Sequence, residues 1–302
     1  MKYWKKTVFK GAILFLFIGI VLTFLGYINN GLDDYNLSSK AQTSRHLVNQ
    51  DLSFFENIDL NCNISDITIK TSPQKKASIT YYQDKNYPLT IKMENKTLYV
   101  DEKAKLSQNS LNVKFLTLQD LSHLNQNLHF GIETGYSILI TLPKDTQVKQ
   151  LKAKLKAGQL SLENNKVEHL DVNLSAGDID IDNTSIDKGN LQLLAGNLNF
   201  LDSKINNSKI KLSTGDFELE NSRVQDSQLI LNTGDFTSRE AVFLGKNSIF
   251  NKIGSTDIYL KSYDLSLSSK KDLDTSSIDS YLNKTSKNTL NINSELGDIN
   301  IK

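Results

Sequence analysis

Glycine recurs every nineteen residues through the second half of the chain, and no other feature restricts the fold as strongly. The glycines are Gly158, Gly177, Gly196, Gly215 and Gly234. The segments around them align as five units without a gap, which begin at Val148, Val167, Ile186, Ile205 and Val224. A fixed period of this length is typical of repeat proteins, in which each unit packs only against its neighbours.

Inside each unit, apolar residues alternate with polar ones. Positions 1, 6, 8, 13 and 15 are apolar at 24 of 25 places, and Ser238 is the exception. Alternation with period two predicts short, half-buried strands on both sides of the glycine. Such strands cannot bury their inner faces alone, so the units must stack. We predict an all-β fold, a parallel β-solenoid with 19-residue coils. A stack of hairpins that turn at Gly-Asp is the alternative.

The glycine column predicts a structural corner in every coil, because a Cβ would clash there or φ would have to be positive. The glycine is followed by Gln159, Asp178, Asn197, Asp216 and Asp235. Asp and Asn favour turns, so we interpret Asp178, Asn197, Asp216 and Asp235 as corner residues. Calcium binding by this column is the alternative. Solenoids that bind calcium, however, carry a denser G-G-x-G-x-D pattern.

Few residues of the chain are suited to metal or redox chemistry. It has one Cys and four scattered His, which excludes an intramolecular disulfide framework and a cysteine-cluster metal site. The single Cys62 alternates with apolar neighbours and is interpreted as a small buried hydrophobe. We therefore predict no cofactor, no metal site and no catalytic residue.

The N-terminus carries the pattern of a membrane anchor. Residues 11–28 are almost wholly apolar and uncharged. Eighteen helical residues at about 1.5 Å each span about 27 Å, close to the thickness of the hydrocarbon core of a bilayer. The run is preceded by Lys2, Lys5, Lys6 and Lys10. The positive-inside rule then predicts a cytoplasmic N-terminus and an extracytoplasmic C-terminal domain of a single-pass cell-membrane protein. A cleaved signal peptide is the alternative.

The rest of the chain divides by its strand pattern. We expect the tail and transmembrane helix in residues 1–30, a tether in 31–50, an N-terminal β-rich part in 51–147, and solenoid repeats with irregular C-terminal coils in 148–302. An early relative of the repeat is NISDITIK at 63–70, with Ser65 in the glycine position. Further corners are predicted in GSTDIYL at 254–260 and ELGDINIK at 295–302. Residues 103–130 lack a strand period, and their role stays open.

The order of these elements resembles that of the bacterial DUF4097 proteins, a family described as candidate adhesins built from β-strand repeats. The resemblance rests on the early ISDITI unit, on SILITLPKDTQVKQL, and on the A-G and T-G-D-F repeats that follow, over about residues 55–302. It implies an extracytoplasmic repeat domain of the kind often encoded beside envelope-stress or cell-wall-antibiotic response systems. No catalytic residues are established for the family, so the resemblance carries none over.

The net charge and the symmetry of the repeat argue against some classes of function. Thirty-five Lys and Arg balance 34 Asp and Glu, for a net charge of +1, which argues against a nucleic-acid partner. We predict a non-enzymatic, membrane-anchored, adhesin-like module of the cell envelope, linked to the envelope-stress response. The alternative is an accessory regulator of a membrane signalling complex. A polysaccharide-active β-helix enzyme ranks last, because the outward acids recur with the coil period like a solvated face.

A face for an anionic wall polymer, or alternatively for anionic lipid headgroups, is the one binding surface that the repeat pattern predicts. Equal positions in successive coils lie above one another, so five outward lysines should share one side of the rod. They are Lys152, Lys154, Lys156, Lys209 and Lys211, called here the lysine face. The partners predicted are the membrane and either a cell-wall polymer or an envelope-stress membrane protein. The simpler interpretation is that lysines on exposed strands keep the rods soluble and unpaired.

Overall fold

The computed structural model describes residues 46–83, 88–102, 137–269 and 278–302. All regular structure in these ranges is β, in 24 strands. The strands are β1 (His46–Asp51), β2 (Asn57–Cys62), β3 (Asp66–Ser72), β4 (Ser78–Gln83), β5 (Leu89–Glu94), β6 (Thr97–Glu102), β7 (Ser137–Pro143), β8 (Gln147–Ala157), β9 (Leu160–Glu163), β10 (Lys166–Ala176), β11 (Ile179–Asp182), β12 (Ser185–Ala195), β13 (Leu198–Leu201), β14 (Lys204–Asn206), β15 (Lys209–Thr214), β16 (Phe217–Glu220), β17 (Arg223–Gln225), β18 (Gln228–Thr233), β19 (Phe236–Leu244), β20 (Lys246–Ile253), β21 (Thr256–Leu260), β22 (Ser266–Ser269), β23 (Thr289–Leu296) and β24 (Ile299–Ile301).

Two predicted regions cannot be compared with this structure. The anchor at 1–30 and the segment 103–130 lie outside the described residues, as does most of the tether. No helix in the described ranges has the length and apolar character needed to cross a bilayer.

Each of the first three repeat coils contributes one strand to each of two parallel sheets. The long-strand sheet runs through β8, β10 and β12, and the short-strand sheet through β9, β11 and β13. Equivalent residues nineteen apart are paired, as in the series Leu155, Leu174, Leu193 and Leu212. The predicted parallel β-solenoid is therefore confirmed. The hairpin alternative is wrong, because hairpins would pair neighbouring strands antiparallel.

The core is the apolar columns that the repeat predicts. All 25 inward positions are buried, including Ser238, whose hydroxyl has no hydrogen-bond partner. Aromatic rings fill part of this core in the third, fourth and fifth coils. The ring centroids of Phe200 and Phe217 lie 5.7 Å apart, and those of Phe217 and Phe236 lie 5.3 Å apart. These distances fall in the favourable range for aromatic pairs. Stacking thus supplies the continuous core that a single coil lacks.

The stack extends upstream of residue 148, and its order there differs from the order of the chain. The coil formed by β2 and β3 lies on β8 and β9, with Ile58 opposite Leu151 and Ile67 opposite Leu160. The coil formed by β6 and β7 lies on the other side of β2 and β3, although it follows them in sequence. Antiparallel strands complete this end: β5 pairs with β6, and β4 joins β7 to β1.

The cross-section of the rod changes near Gly189. The first three coils have long strands of 11 residues. Later coils split this strand in two, as in β14 and β15, with Asn207 in the left-handed region at φ 46°. One buried column changes from apolar to small residues along the stack. It contains, in order, Leu151, Leu170, Gly189, Ser208 and Ser227. A Cβ on Gly189 would lie 2.7 Å from Oγ of Ser208, so a residue without a side chain marks the change.

The irregular C-terminal coils keep the same plan. β20 pairs with β23, and β21 pairs with β24. On its other edge, the first half of β23 pairs with β22. Gly254 and Gly297 have φ of 136° and 134°, close to the value at the earlier corners. The sequence GSTDIYL and the sequence ELGDINIK therefore form corners, as predicted.

Candidate interaction surface

The structure places the five repeat glycines at sharp corners between the two sheets. Their φ angles run from 112° at Gly158 to 138° at Gly234. Residues other than glycine rarely adopt this backbone conformation. A Cβ on Gly177, Gly196 or Gly215 would lie 1.8 Å from the carbonyl oxygen of the glycine in the preceding coil. Close stacking of the backbone, rather than ligand binding, accounts for this column.

The residues after the glycines join one corner to the next. The backbone N–H of Asn197 donates to Oδ1 of Asp178 at 2.7 Å, and that of Asp216 donates to Oδ1 of Asn197 at 3.2 Å. The N–H of Asp235 donates to Asp216 at 2.9 Å. One oxygen of each side chain therefore accepts a bond from the next coil. Among the described residues, no group of three or more His, Cys, Asp or Glu is placed to hold a metal ion.

A second polar ladder was missed by the sequence analysis. At the corner that follows each short strand, Asn164, Asn183, Asp202 and Asn221 adopt positive φ. The next residues are buried polar side chains: Asn165, Thr184, Ser203 and Ser222. The N–H of Thr184 donates to Oγ of Ser203 at 3.1 Å, and the N–H of Ser203 donates to Oγ of Ser222 at 2.9 Å. Two polar columns at the end of the repeat are the signal that would have revealed it.

The lysine face lies where the repeat pattern predicts. In the register of the long-strand sheet, Lys152 is followed by Asp171, Asn190 and Lys209, and all five face lysines are exposed. Asn190 donates to Asp171 at 3.0 Å, so part of the surface between the two lysine clusters is internally bonded. The structure thus brings the lysines to one face, as two separate clusters.

Acidic residues border the first lysine cluster on its N-terminal side, and sequence reasoning did not find them. Asp59 is paired in register with Lys152, and Asn61 with Lys154. One strand further out, Tyr99 lies opposite Asp59 and Asp101 lies opposite Asn61. These residues come from β2 and β6, whose place beside β8 only the structure shows.

The outer faces of β5, β6 and β2 form a shallow groove of about 540 Å³. Its polar and aromatic lining includes Asp59, Asn61, Thr90, Lys92, Tyr99 and Asp101. Asn61 donates to Asp101 at 2.7 Å. The strand β5 is the antiparallel edge of the long-strand sheet, so this groove lies at the N-terminal end of the stack. It is called here the edge groove.

The acids on the outer face of the short-strand sheet recur with the coil period. They are Glu163, Asp180, Asp182, Glu218 and Glu220, at intermediate or exposed positions. Asp180 accepts a hydrogen bond from Gln159 in the preceding coil and one from Asn199 in the next, at 2.7 Å for the latter. Glu218 lies 3.9 Å from the guanidinium of Arg239. The arrangement is that of a bonded, solvated face.

The family model named Toastrack DUF4097 matches residues 55–302, which is most of the chain. The chain belongs to the DUF4097 family. The DUF4097 match begins just before β2 and therefore includes both upstream coils as well as the regular repeats. No curated protein matches the chain.

Three solved structures are similar to this DUF4097 chain. A candidate adhesin from Bacteroides fragilis is 15% identical with a TM-score of 0.46, over 85% of this chain and 97% of that one. A candidate adhesin from Parabacteroides merdae is 12% identical with a TM-score of 0.40, over 86% and 96%. A candidate cell adhesion protein from Clostridium sporogenes is 14% identical with a TM-score of 0.23, over 85% and 99%.

Two buried groups, Glu102 and Cys62, lie at the first corner of the DUF4097 domain, and among the described residues Oε1 of Glu102 has no hydrogen-bond partner. Glu102 is 3% exposed, and its Oε2 accepts from the N–H groups of Asn63 and Ile64 and from the hydroxyl of Ser65, at 2.8 to 3.1 Å. Burial, with Glu102 nearby, raises the pKa of the Cys62 thiol to about 12. A thiol with so high a pKa stays protonated at neutral pH, which fits its position in the core.

Proposed function

We propose that this chain is a membrane-anchored, extracytoplasmic interaction module of the cell envelope that performs no chemistry. The observation that carries the proposal is the lysine face, an array of exposed cations on one parallel sheet. The glycine corners and their Asp and Asn neighbours are occupied in holding coils together. Of the residues that the structure describes, those on the outward surfaces therefore remain for a partner.

The ligand proposed for the lysine face is an anionic wall polymer. Within the described residues, no ion pair neutralises any of the five lysines, although Asp171 and Asp59 lie beside Lys152 in the sheet. Exposed ammonium groups attract phosphate through screened charge, so the affinity should fall as salt rises. The expected interaction is weak for each lysine and gains strength from the array.

We expect replacement of the lysine face by glutamine to reduce wall binding at low salt by about half or more, because screened charge is the source of attraction. The measurement is co-sedimentation of the full-length protein with cell walls, with and without teichoic acid, at low and at physiological salt. The matched control replaces five exposed lysines outside the face by Gln: Lys75, Lys144, Lys204, Lys246 and Lys287. Equal loss in both variants, or no loss in either, would remove this face from the proposal.

The anchor and its orientation are proposed from the sequence of residues 1–30. We expect protease added to intact protoplasts to degrade the repeat domain and leave a short stub in the membrane, because the lysines before the apolar run favour a cytoplasmic N-terminus. Immunoblots against the two ends of the chain check this result. Protection of residues 50–302 until the membrane is broken would contradict it.

A further inference from the structure

The edge groove combines an aromatic ring with closely spaced hydrogen-bonding groups. Tyr99 and Asp59 face each other across neighbouring strands, and Asp101 and Asn61 do so one step further along. Lys92 and Thr90 lie opposite Tyr99 and Asp101 on β5. Side chains two apart on a strand share one face of a sheet, so these three rows of residues all point outward into the groove.

Two groups in the groove have no hydrogen-bond partner among the described residues. Lys92 forms an ion pair with Glu94, and Asn61 donates to Asp101. In the part of the chain that the structure describes, no hydrogen bond reaches the carboxylate of Asp59 or the hydroxyl of Tyr99. The Asp59 carboxylate thus lies beside a half-buried aromatic ring in the groove.

The balance of charge around the groove disfavours an ionic ligand. Three acids, Asp59, Glu94 and Asp101, lie among three lysines, Lys92 in the groove and Lys152 and Lys154 on the adjacent strand. The opposite charges largely cancel, so the surface has little net electrostatic potential to attract a charged ligand. It offers instead many hydrogen-bond acceptors and donors and one aromatic ring.

We propose that the edge groove binds a pyranose unit of an uncharged oligosaccharide. The Asp59 carboxylate accepts hydrogen bonds from sugar hydroxyl groups, and charge-assisted bonds of this kind are the stronger ones. The ring of Tyr99 packs against the C–H face of the sugar, which suits the negative face of an aromatic ring. This proposal adds a second ligand class to the proposed function, and it needs neither the anchor nor an anionic partner for the lysine face.

The test is calorimetric titration of the full-length protein with three neutral probes: chitotetraose, cellotetraose and maltotetraose. The protein is kept in a detergent without a sugar headgroup, because a glycoside detergent would compete for the groove. We expect at least one probe to bind with a dissociation constant of about 1 mM or below. Its affinity should not change between low and physiological salt, since screening acts on charged partners.

The variants Tyr99→Ala and Asp59→Ala should each weaken binding by about tenfold, equivalent to about 1.4 kcal/mol. The matched controls are Tyr259→Ala and Asp257→Ala, an aromatic and an acid on the outer face of the short-strand sheet, which should bind like the wild type. Circular dichroism checks that all four variants are folded. Tyr99→Phe keeps the ring and is expected to retain most of the affinity.

Absence of binding for all three probes, or unchanged binding in both Tyr99→Ala and Asp59→Ala, would overturn the oligosaccharide proposal. Loss of wall binding in the lysine-face variant is a separate result, because that binding depends on salt and this binding should not. The failure of one proposal is therefore visible while the other stands.

Discussion

Gly196→Ala is expected to lower the melting temperature of the repeat domain by about 10 °C or more. The added Cβ would lie 1.8 Å from the carbonyl oxygen of Gly177. That oxygen cannot move aside easily, because the N–H of the same Gly177 is bonded to Ala195 at 2.9 Å. The φ of 133° adds backbone strain for any residue with a side chain. Thermal unfolding followed by circular dichroism gives the measurement.

The control for this variant is Leu194→Ala, two residues earlier in the chain. Leu194 is 58% exposed, so its truncation should change the melting temperature by no more than about 2 °C. A Gly196→Ala protein that melts with the wild type would show that the corners of successive coils are further apart than the structure places them.

Much of the solenoid could be predicted because the same packing environment recurs at the same position of every coil. A coil of fixed length places the same position of every unit in one column, so an apolar column such as Leu155, Leu174 and Leu193 must be the interior. The same logic identified Ser65 as the equivalent of a glycine, and its carbonyl oxygen indeed lies beside Gly158. Periodic features can be read from a single sequence because each column supplies several independent observations.

Features that occur once could not be predicted in this way. The coil of β6 and β7 lies outside that of β2 and β3, so the chain order gives a false spatial order. Gly189 is not at a corner of the repeat, and its role follows only from the side chains above and below it. The local pattern predicts strands in these places, but it contains no information about which strand lies beside which.

The two candidate surfaces differ, for the same reason, in how far the sequence could predict them. The members of the lysine face occupy equal positions of the repeat, so their common side was predicted, although its acidic border was not. The edge groove depends on Tyr99 lying beside Asp59, a pair 40 residues apart that no period connects. Its parts come from three strands at the irregular end of the stack. A binding surface in a repeat protein that breaks the repeat is visible only when the non-repeating strands are placed.

Leu193→Asp is expected to unfold the solenoid, with a loss of about 5 kcal/mol or more from the missing apolar burial and the buried carboxyl group together. Leu193 is 1% exposed and lies between Leu174 and Leu212 in the centre of the stack. No described residue of the column offers the carboxylate a partner, because its neighbours are leucines. The coils on either side lose their common core, so the damage should spread along the rod.

The matched control, Leu194→Asp, places the same side chain one residue further along the same strand. Successive residues of a strand face opposite sides of the sheet, and Leu194 is 58% exposed. This variant should stay soluble and melt within about 2 °C of the wild type, because its carboxylate remains in water. The pair is measured by circular dichroism and by resistance to limited proteolysis. Similar melting of the two variants would show that the leucine column is not the core of the stack.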